Sequence, residues 1–184
     1  MTIRHMLITG AAGAALITSA SASQAGAANA PEPAKSVDAA RLYAGTWHEI
    51  GRRPMSLTNG CVAGATDYTM EGADKVKVLD SCHKDTPDGA LKTIGGPATL
   101  TDPGTNTKLH VSYRFAGFIP VGRDYWVLDH DDDYSWFISS DPSFANLWIY
   151  TRDPHVSPER RQALIDRAKA LGYDTTKLEF PAQP

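Results

Sequence analysis

Short apolar-rich segments alternate with turn residues along most of the chain, from residue 46 to residue 152. In several of them apolar and polar side chains alternate, which is the pattern of a strand with one buried face. The separators include Thr58-Asn59-Gly60 and Asp102-Pro103-Gly104, and these residue types favour tight turns. Short connections favour antiparallel neighbours over crossover helices. The pattern predicts strands at 46–53, 61–70, 75–82, 90–100, 108–115, 125–129, 134–140 and 147–152.

One helical pattern follows the last strand. Ser157 is a good N-cap, Pro158 suits the first helical position, and Gly172 stands where a left-handed residue commonly ends a helix. We therefore expect a helix at 158–171 whose apolar face covers the outside of the strands. The residues expected in this contact are Leu164, Ile165, Ala168 and Leu171 from the helix, with Ile50, Leu147 and Ile149 from the strands.

These elements predict an all-β fold, an eight-stranded antiparallel up-and-down β-barrel with one C-terminal flanking α-helix. The interior of an eight-stranded barrel is either filled by side chains or able to hold one small ligand.

The N-terminal segment reads as a targeting sequence. Arg4 and His5 precede an apolar run at 6–17, and small residues follow to Ala30, which is typical of a cleaved secretory signal peptide. The run is too short for a membrane anchor, and no cysteine near the cleavage region could carry a lipid. We expect a signal peptide and low-complexity tail at 1–30, a lead-in at 31–41, and a barrel domain at 42–184 that is periplasmic or secreted, without a transmembrane segment.

Composition removes one class of partner. Lysine and arginine number 18 against 21 acidic residues, the net charge is −3, and no basic run occurs in the 184 residues. A nucleic-acid partner is therefore not expected.

The two cysteines, Cys61 and Cys82, flank an expected hairpin. If Glu71-Gly72 is the turn, the two cysteines face one another across the strands, which suits a disulfide. An exporting compartment would preserve that bond. The alternative, a reactive or metal-binding thiol, would need a nearby CxxC motif or histidine cluster, and His83 is the only candidate neighbour.

The segment from Tyr43 to Ile50, with Gly45 and Trp47 two residues apart, resembles the first sequence block of the lipocalins. The blocks at 124–128, 133–136, 147–154 and 171–174 resemble the second half of the bacterial (Blc-like) branch in order and spacing. This resemblance implies a barrel that carries small hydrophobic molecules. It also implies a structural pair at the barrel base, Trp47 with Arg152, in which a guanidinium covers an indole face.

Counting alternate residues assigns inward positions. If Arg152 turns toward the base, Trp148 and Tyr150 point inward, as do Trp47, Glu49 and Gly51. The same counting places Ala63, Ala65, Val76 and Val78 on the cysteine face. The full set expected to contact a ligand, including the loops at the mouth, is Met55, Leu57, Val111, Tyr113, Phe115, Phe118, Tyr125, Trp148 and Tyr150.

We therefore expect a carrier for a fatty acid, lysophospholipid or similar lipid in an apolar cavity, with a possible role in envelope lipid transport or maintenance. Arg53 or Arg114 could hold a charged head group, although a solvated surface role is open for both. No cofactor is expected, and oligomeric state is open.

Two other classes stay open. A lipocalin-fold enzyme of the isomerase type could use Glu49 as an acid or base, but no nucleophile–base pair accompanies it, so no catalytic residue is assigned. Glu49 is alternatively a buried carboxylate bonded to backbone or to Arg152. A protein-binding module is the third class. No metal ligand is assigned, because the acidic run at 129–133 lacks the glycine and glutamate of a calcium loop and reads as a solvated turn.

Overall fold

The structure is a computed structural model that describes residues 29–115 and 118–184, with the side chain of Phe115 also outside the description. Residues 1–28 of the expected signal peptide and tail lie outside the described residues. Part of the expected lead-in is packed: Val37 is buried, and its backbone N–H donates to the carbonyl of Thr105 at 2.7 Å. A short helix, α1, follows at Ala39–Leu42.

The described residues form eight strands that close into a barrel in sequence order, each antiparallel to its neighbours, with β8 pairing back to β1. This confirms the predicted fold. The strands are β1 Gly45–Arg52, β2 Cys61–Met70, β3 Lys75–Lys84, β4 Leu91–Leu100, β5 Lys108–Phe115, β6 Ile119–His130, β7 Trp136–Ser140 and β8 Leu147–Thr151.

Strand β6 is longer than the sequence predicts. It begins at Ile119 instead of residue 125, and it pairs with β5 continuously from Phe115 opposite Ile119 to Lys108 opposite Trp126. Most of the expected loop after β5 is therefore strand. The local sequence, with Pro120 and Gly122, has weak strand propensity, and the hydrogen-bonding partner supplied by β5 overrides it.

The described strands have three register shifts, one of them on β6 between Val127 and Asp129, and those on β1 and β2 change the inward positions expected there. The pairing of β1 with β8 passes from Glu49 opposite Tyr150 to Gly51 opposite Ile149, so Ile50 is an extra residue. A second shift on β2 lies between Val62 and Ala65. An extra residue reverses the alternation beyond it. The expected inward set on these two strands is therefore wrong beyond each bulge.

The C-terminal helix, α2, occupies Pro158–Ala170 and packs on the outside of the barrel. The Ser157 side chain accepts a hydrogen bond from the backbone N–H of Arg160 at 3.2 Å, and Gly172 has a φ of 92°. Both observations agree with the predicted helix ends. An outer apolar cluster joins the helix to the strands through Leu164 and Ala168 from α2, with Ile50, Ile138, Leu147, Ile149 and Tyr173.

The two ends of the barrel differ. At one end α1 and the segment before β1 lie across the opening, with Leu42 and Tyr43 fully buried. The loops at 53–60, 85–90 and 141–146 and the β5–β6 turn lie at the other end. Within the described ranges, no helix combines the length and apolar character needed to cross a membrane.

Candidate ligand-binding cavity

The closed end of the barrel is built on Trp47. Its ring nitrogen donates to the carbonyl of Leu42 at 2.8 Å, and its ring meets Phe137 edge-on with centroids 4.7 Å apart. The guanidinium carbon of Arg152 lies 3.6 Å from the Trp47 ring centroid. Arg152 also donates to the carbonyls of Ala44 and Thr46, both at 2.8 Å. The guanidinium therefore joins the indole face to the chain that enters β1, and the base is sealed.

Above this base a cavity of about 880 Å³ opens toward the other end. Seven residues of the expected contact set line it, namely Met55, Leu57, Val111, Tyr113, Tyr125, Trp148 and Tyr150. The other two differ. Phe118 is 73% exposed on the β5–β6 turn, outside the cavity, and the side chain of Phe115 lies outside the description.

The cavity is more polar than its expected apolar lining, because it contains a half-buried carboxylate, Asp80, on the same face of β3 as Val76 and Val78. Asp80 on β3 accepts hydrogen bonds from Thr66 Oγ1 and from the Tyr113 hydroxyl, each at 2.6 Å, one on each carboxylate oxygen. The hydroxyls of Tyr113 and Tyr125 lie 3.2 Å apart. Because Tyr113 gives its proton to Asp80, Tyr125 is the donor in that second contact.

Burial raises the pKa of Asp80, and the hydrogen bonds from Thr66 and Tyr113 partly oppose that effect. Burial also raises the pKa of Tyr68 and Tyr150 well above the usual value, and raises that of Tyr125 to about 12. These tyrosines therefore stay protonated at physiological pH, and their hydroxyls remain hydrogen-bond donors inside the barrel.

A second carboxylate, Glu49, is buried and paired with Arg52. Arg52 Nη1 donates to Glu49 Oε1 at 2.6 Å, and Arg52 Nε donates to Glu179 Oε1 at 2.7 Å. The expectation that Glu49 bonds to backbone or to Arg152 is therefore wrong, because the β1 bulge turns Arg52 inward beside Glu49 and leaves Gly51 against Phe180 outside. Burial raises the pKa of Glu49 to about 7, with Arg52 acting in the opposite direction.

Other cations lie near the mouth. Lys92, Arg114 and Arg123 all border the cavity. Arg53, the other candidate for holding a head group, lies near Tyr173, which follows α2. The positive charge of Arg53 partly opposes the burial that raises the pKa of Tyr173. Arg52 faces inward but is occupied, since it also donates to the carbonyl of Cys61 at 2.7 Å.

The predicted disulfide between Cys61 and Cys82 is confirmed, with a Cα–Cα distance of 5.4 Å. The predicted register is wrong, because Cys61 pairs with Lys84. The β2–β3 turn is longer than two residues, which shifts the register away from the predicted one. The β2 bulge, where Ala63 has a φ of 48°, takes back one residue of that shift. The bond is therefore diagonal, and both cysteines border the cavity.

The same bulge corrects the expected inward residues of β2. Thr66 and Tyr68 line the cavity, paired with Asp80 and Val78 across the strands. Gly64 leaves room for Glu49 here, because a Cβ at this position would lie 3.0 Å from Glu49 Oε1. Alternation predicts Ala65, not Thr66, on the inner face of β2. The positive φ of Ala63 causes the change, and an alanine gives no signal in the sequence for that backbone conformation.

The acidic run at 129–133 is only partly a solvated turn. Asp129 and His130 are buried at the end of β6, and Asp129 is paired with Arg167 of α2. Asp131 accepts from the backbone of Ser135 at 2.7 Å. In the described part of the chain, no group of three or more His, Cys, Asp or Glu side chains is arranged to hold a metal ion.

Comparison with known proteins places this architecture. The family model described as a lipocalin-like domain matches residues 37–183. Temperature-induced lipocalin-1 of Arabidopsis thaliana is 34% identical over 147 residues, 77% of each chain. The outer membrane lipoprotein Blc of Escherichia coli K12 is 28% identical over 164 residues, 86% of this chain and 89% of that protein. The structure of insecticyanin from the tobacco hornworm Manduca sexta superposes with a TM-score of 0.67 at 19% identity, covering 83% of this chain and 84% of that one.

Proposed function

The chain belongs to the lipocalin family, and on that premise we propose that it carries a fatty acid, a lysophospholipid or a similar lipid in the barrel cavity. The observation that carries the proposal is a cavity of about 880 Å³ that is sealed at one end and open at the other. That volume lies in the range of pockets that enclose small organic ligands.

The wall of the cavity suits an apolar chain. Its apolar lining comes from Val78, Ile94, Val111, Val121 and Trp148. Apolar surface removed from water contributes about 25 cal/mol per Å² before the costs of binding are subtracted. Lys92 and Arg123 at the mouth would place a positive charge near the carboxylate or phosphate of a ligand whose chain points inward.

We further propose that the protein works in the cell envelope or is exported. The Cys61–Cys82 bond suits an oxidising compartment, and the Escherichia coli relative is an outer membrane lipoprotein. A binding role is favoured over catalysis because Glu49, the acid or base candidate from sequence, is already held by Arg52. The boundaries 1–30, 31–41 and 42–184 remain part of this proposal, with a signal peptide inside residues 1–30 removed on export.

A pair of tryptophan substitutions on β3 tests the carrier role. Val78 is buried and lines the cavity, whereas the next residue, Leu79, is 41% exposed on the outer face. Val78→Trp should fill the lower cavity and weaken the binding of a fluorescent fatty acid to delipidated protein by at least about tenfold, since overpacking must displace either ligand or wall. Leu79→Trp adds the same ring outside and should leave affinity unchanged.

Titration of both variants and the parent with fluorescent fatty acid and lysolipid probes gives the readout, and circular dichroism establishes folding. Absence of saturable binding by the parent protein would reject these ligands. Equal affinities for the two variants would show that the probe binds elsewhere.

A further inference from the structure

The lower part of the cavity contains a carboxylate with no cationic partner. The side-chain hydrogen-bond partners of Asp80 are Thr66 and Tyr113, and no lysine or arginine of the described residues forms an ion pair with it. Each Asp80 oxygen accepts one hydrogen bond, from Thr66 or from Tyr113. An ionised carboxylate has about four acceptor sites, so acceptor capacity remains, and Asp80 borders the cavity.

Aromatic rings surround the same region. Tyr68, Tyr125, Tyr150 and Trp148 all border the cavity, and Tyr125 meets Trp148 with ring centroids 5.2 Å apart. Aromatic faces attract cations through the ring quadrupole, and this attraction increases when the cation is desolvated. A half-buried carboxylate among aromatic rings is therefore a favourable environment for an organic cation.

The other charges of the cavity lie elsewhere or are already paired. Glu49 is held by Arg52, which in turn holds Glu179. Arg123 is exposed and lies on β6 two residues beyond Tyr125 toward the mouth. At the mouth, Lys92, Arg114 and Arg123 outnumber Asp141. The cavity therefore has a negative lower part around Asp80 and a net positive mouth.

We propose that the lower cavity is a binding site for a protonated amine, in which an apolar alkylammonium enters head first, its N–H groups donate to Asp80, and its hydrocarbon body extends along the apolar wall toward the mouth. This goes beyond the proposed carriage of fatty acids and lysophospholipids, since it adds a ligand class of opposite charge and opposite orientation. It rests on the same cavity being accessible to ligands.

Three ligands of equal chain length test the site on the unmodified protein. Octylammonium, 1-octanol and octanoate differ only in the head group, and each can be titrated by calorimetry at about pH 8, where the amine is protonated. Octylammonium should bind at least about tenfold more tightly than 1-octanol, since its positive charge pairs with the Asp80 carboxylate, whereas the hydroxyl of 1-octanol offers only an uncharged donor. Octanoate as tight as octylammonium would overturn the proposal.

Two matched variants locate the effect. Asp80→Asn keeps the shape and removes the charge, so octylammonium should lose its advantage while the affinity for 1-octanol stays within about twofold. Asp124→Asn makes the same charge change at an exposed position on β6, where Asp124 contacts His110 at 2.7 Å, and should keep the advantage. If Asp80→Asn does not fold, the comparison of three ligands on the unmodified protein still decides.

The outcomes separate this inference from the carrier function. Saturable binding of octanoate and 1-octanol without preference for octylammonium would reject the amine site and leave the carrier intact. An octylammonium advantage that survives in Asp80→Asn would reject Asp80 as its source. Absence of binding by all three ligands and by fatty acid probes would reject both.

Discussion

Replacing Glu49 with glutamine should remove a pH dependence of stability that the buried Glu49–Arg52 pair creates. Glu49 is 8% exposed, and its Oε1 accepts from Arg52 Nη1 at 2.6 Å. Arg52 keeps a second partner in Glu179. Glu49 can therefore take up a proton without leaving the guanidinium unpaired, and burial favours that neutral form.

The sign and size follow from the pKa. The pKa of Glu49 is raised from 4.5 to about 7, chiefly by burial. Between these two values the folded protein holds a proton that the unfolded chain has released, so unfolding free energy falls as pH rises. The stabilisation by this proton is complete below the unfolded pKa and is lost as pH passes the folded pKa. The difference between the folded and unfolded pKa values corresponds to about 3 kcal/mol of unfolding free energy, at about 1.4 kcal/mol per pKa unit.

Urea unfolding followed by tryptophan fluorescence from about pH 4 to about pH 8 measures this effect. The difference in unfolding free energy between the parent and Glu49→Gln should change by about 3 kcal/mol over that range. Glu71→Gln is the matched control, because it makes the same chemical change at an exposed glutamate in the β2–β3 turn. Parallel curves for the parent and Glu49→Gln would refute the assignment.

Two further predictions concern stability. Arg152→Lys removes the guanidinium stacked on Trp47 and some of its hydrogen bonds to backbone carbonyls, so it should lower the free energy of unfolding by about 2 kcal/mol and Tm by about 5 °C. The control Arg114→Lys, at an exposed position on β5, should leave Tm nearly unchanged. Equal Tm values for the two variants in calorimetry would contradict the role of the Trp47–Arg152 pair. Replacing both Cys61 and Cys82 with serine should lower the free energy of unfolding by about 3 kcal/mol, because the unfolded chain is no longer cross-linked. Urea unfolding measures this loss. The parent protein with its disulfide reduced is the control and should lose the same amount.

Much of the architecture was readable from local sequence. Turn residues and short connections predict an antiparallel barrel, and Ser157, Pro158 and Gly172 predict the ends of α2, because each acts through backbone geometry within a few residues. The resemblance to lipocalins correctly identifies the family. It also leads to Arg152 beside Trp47, since the closed barrel brings β8 back to β1.

The tertiary structure decided which charges enter the cavity. Alternation predicts inward residues only while each strand is regular, and the bulges at Ile50 and Ala63 reverse it beyond those points. Arg52 therefore turns inward beside Glu49, and Thr66 instead of Ala65 faces Asp80. Strand pairing over long sequence distances fixes these positions, so the sequence determined a barrel with a lipocalin-like base and an inward Glu49, and only the folded register placed Arg52 and Thr66 in the interior.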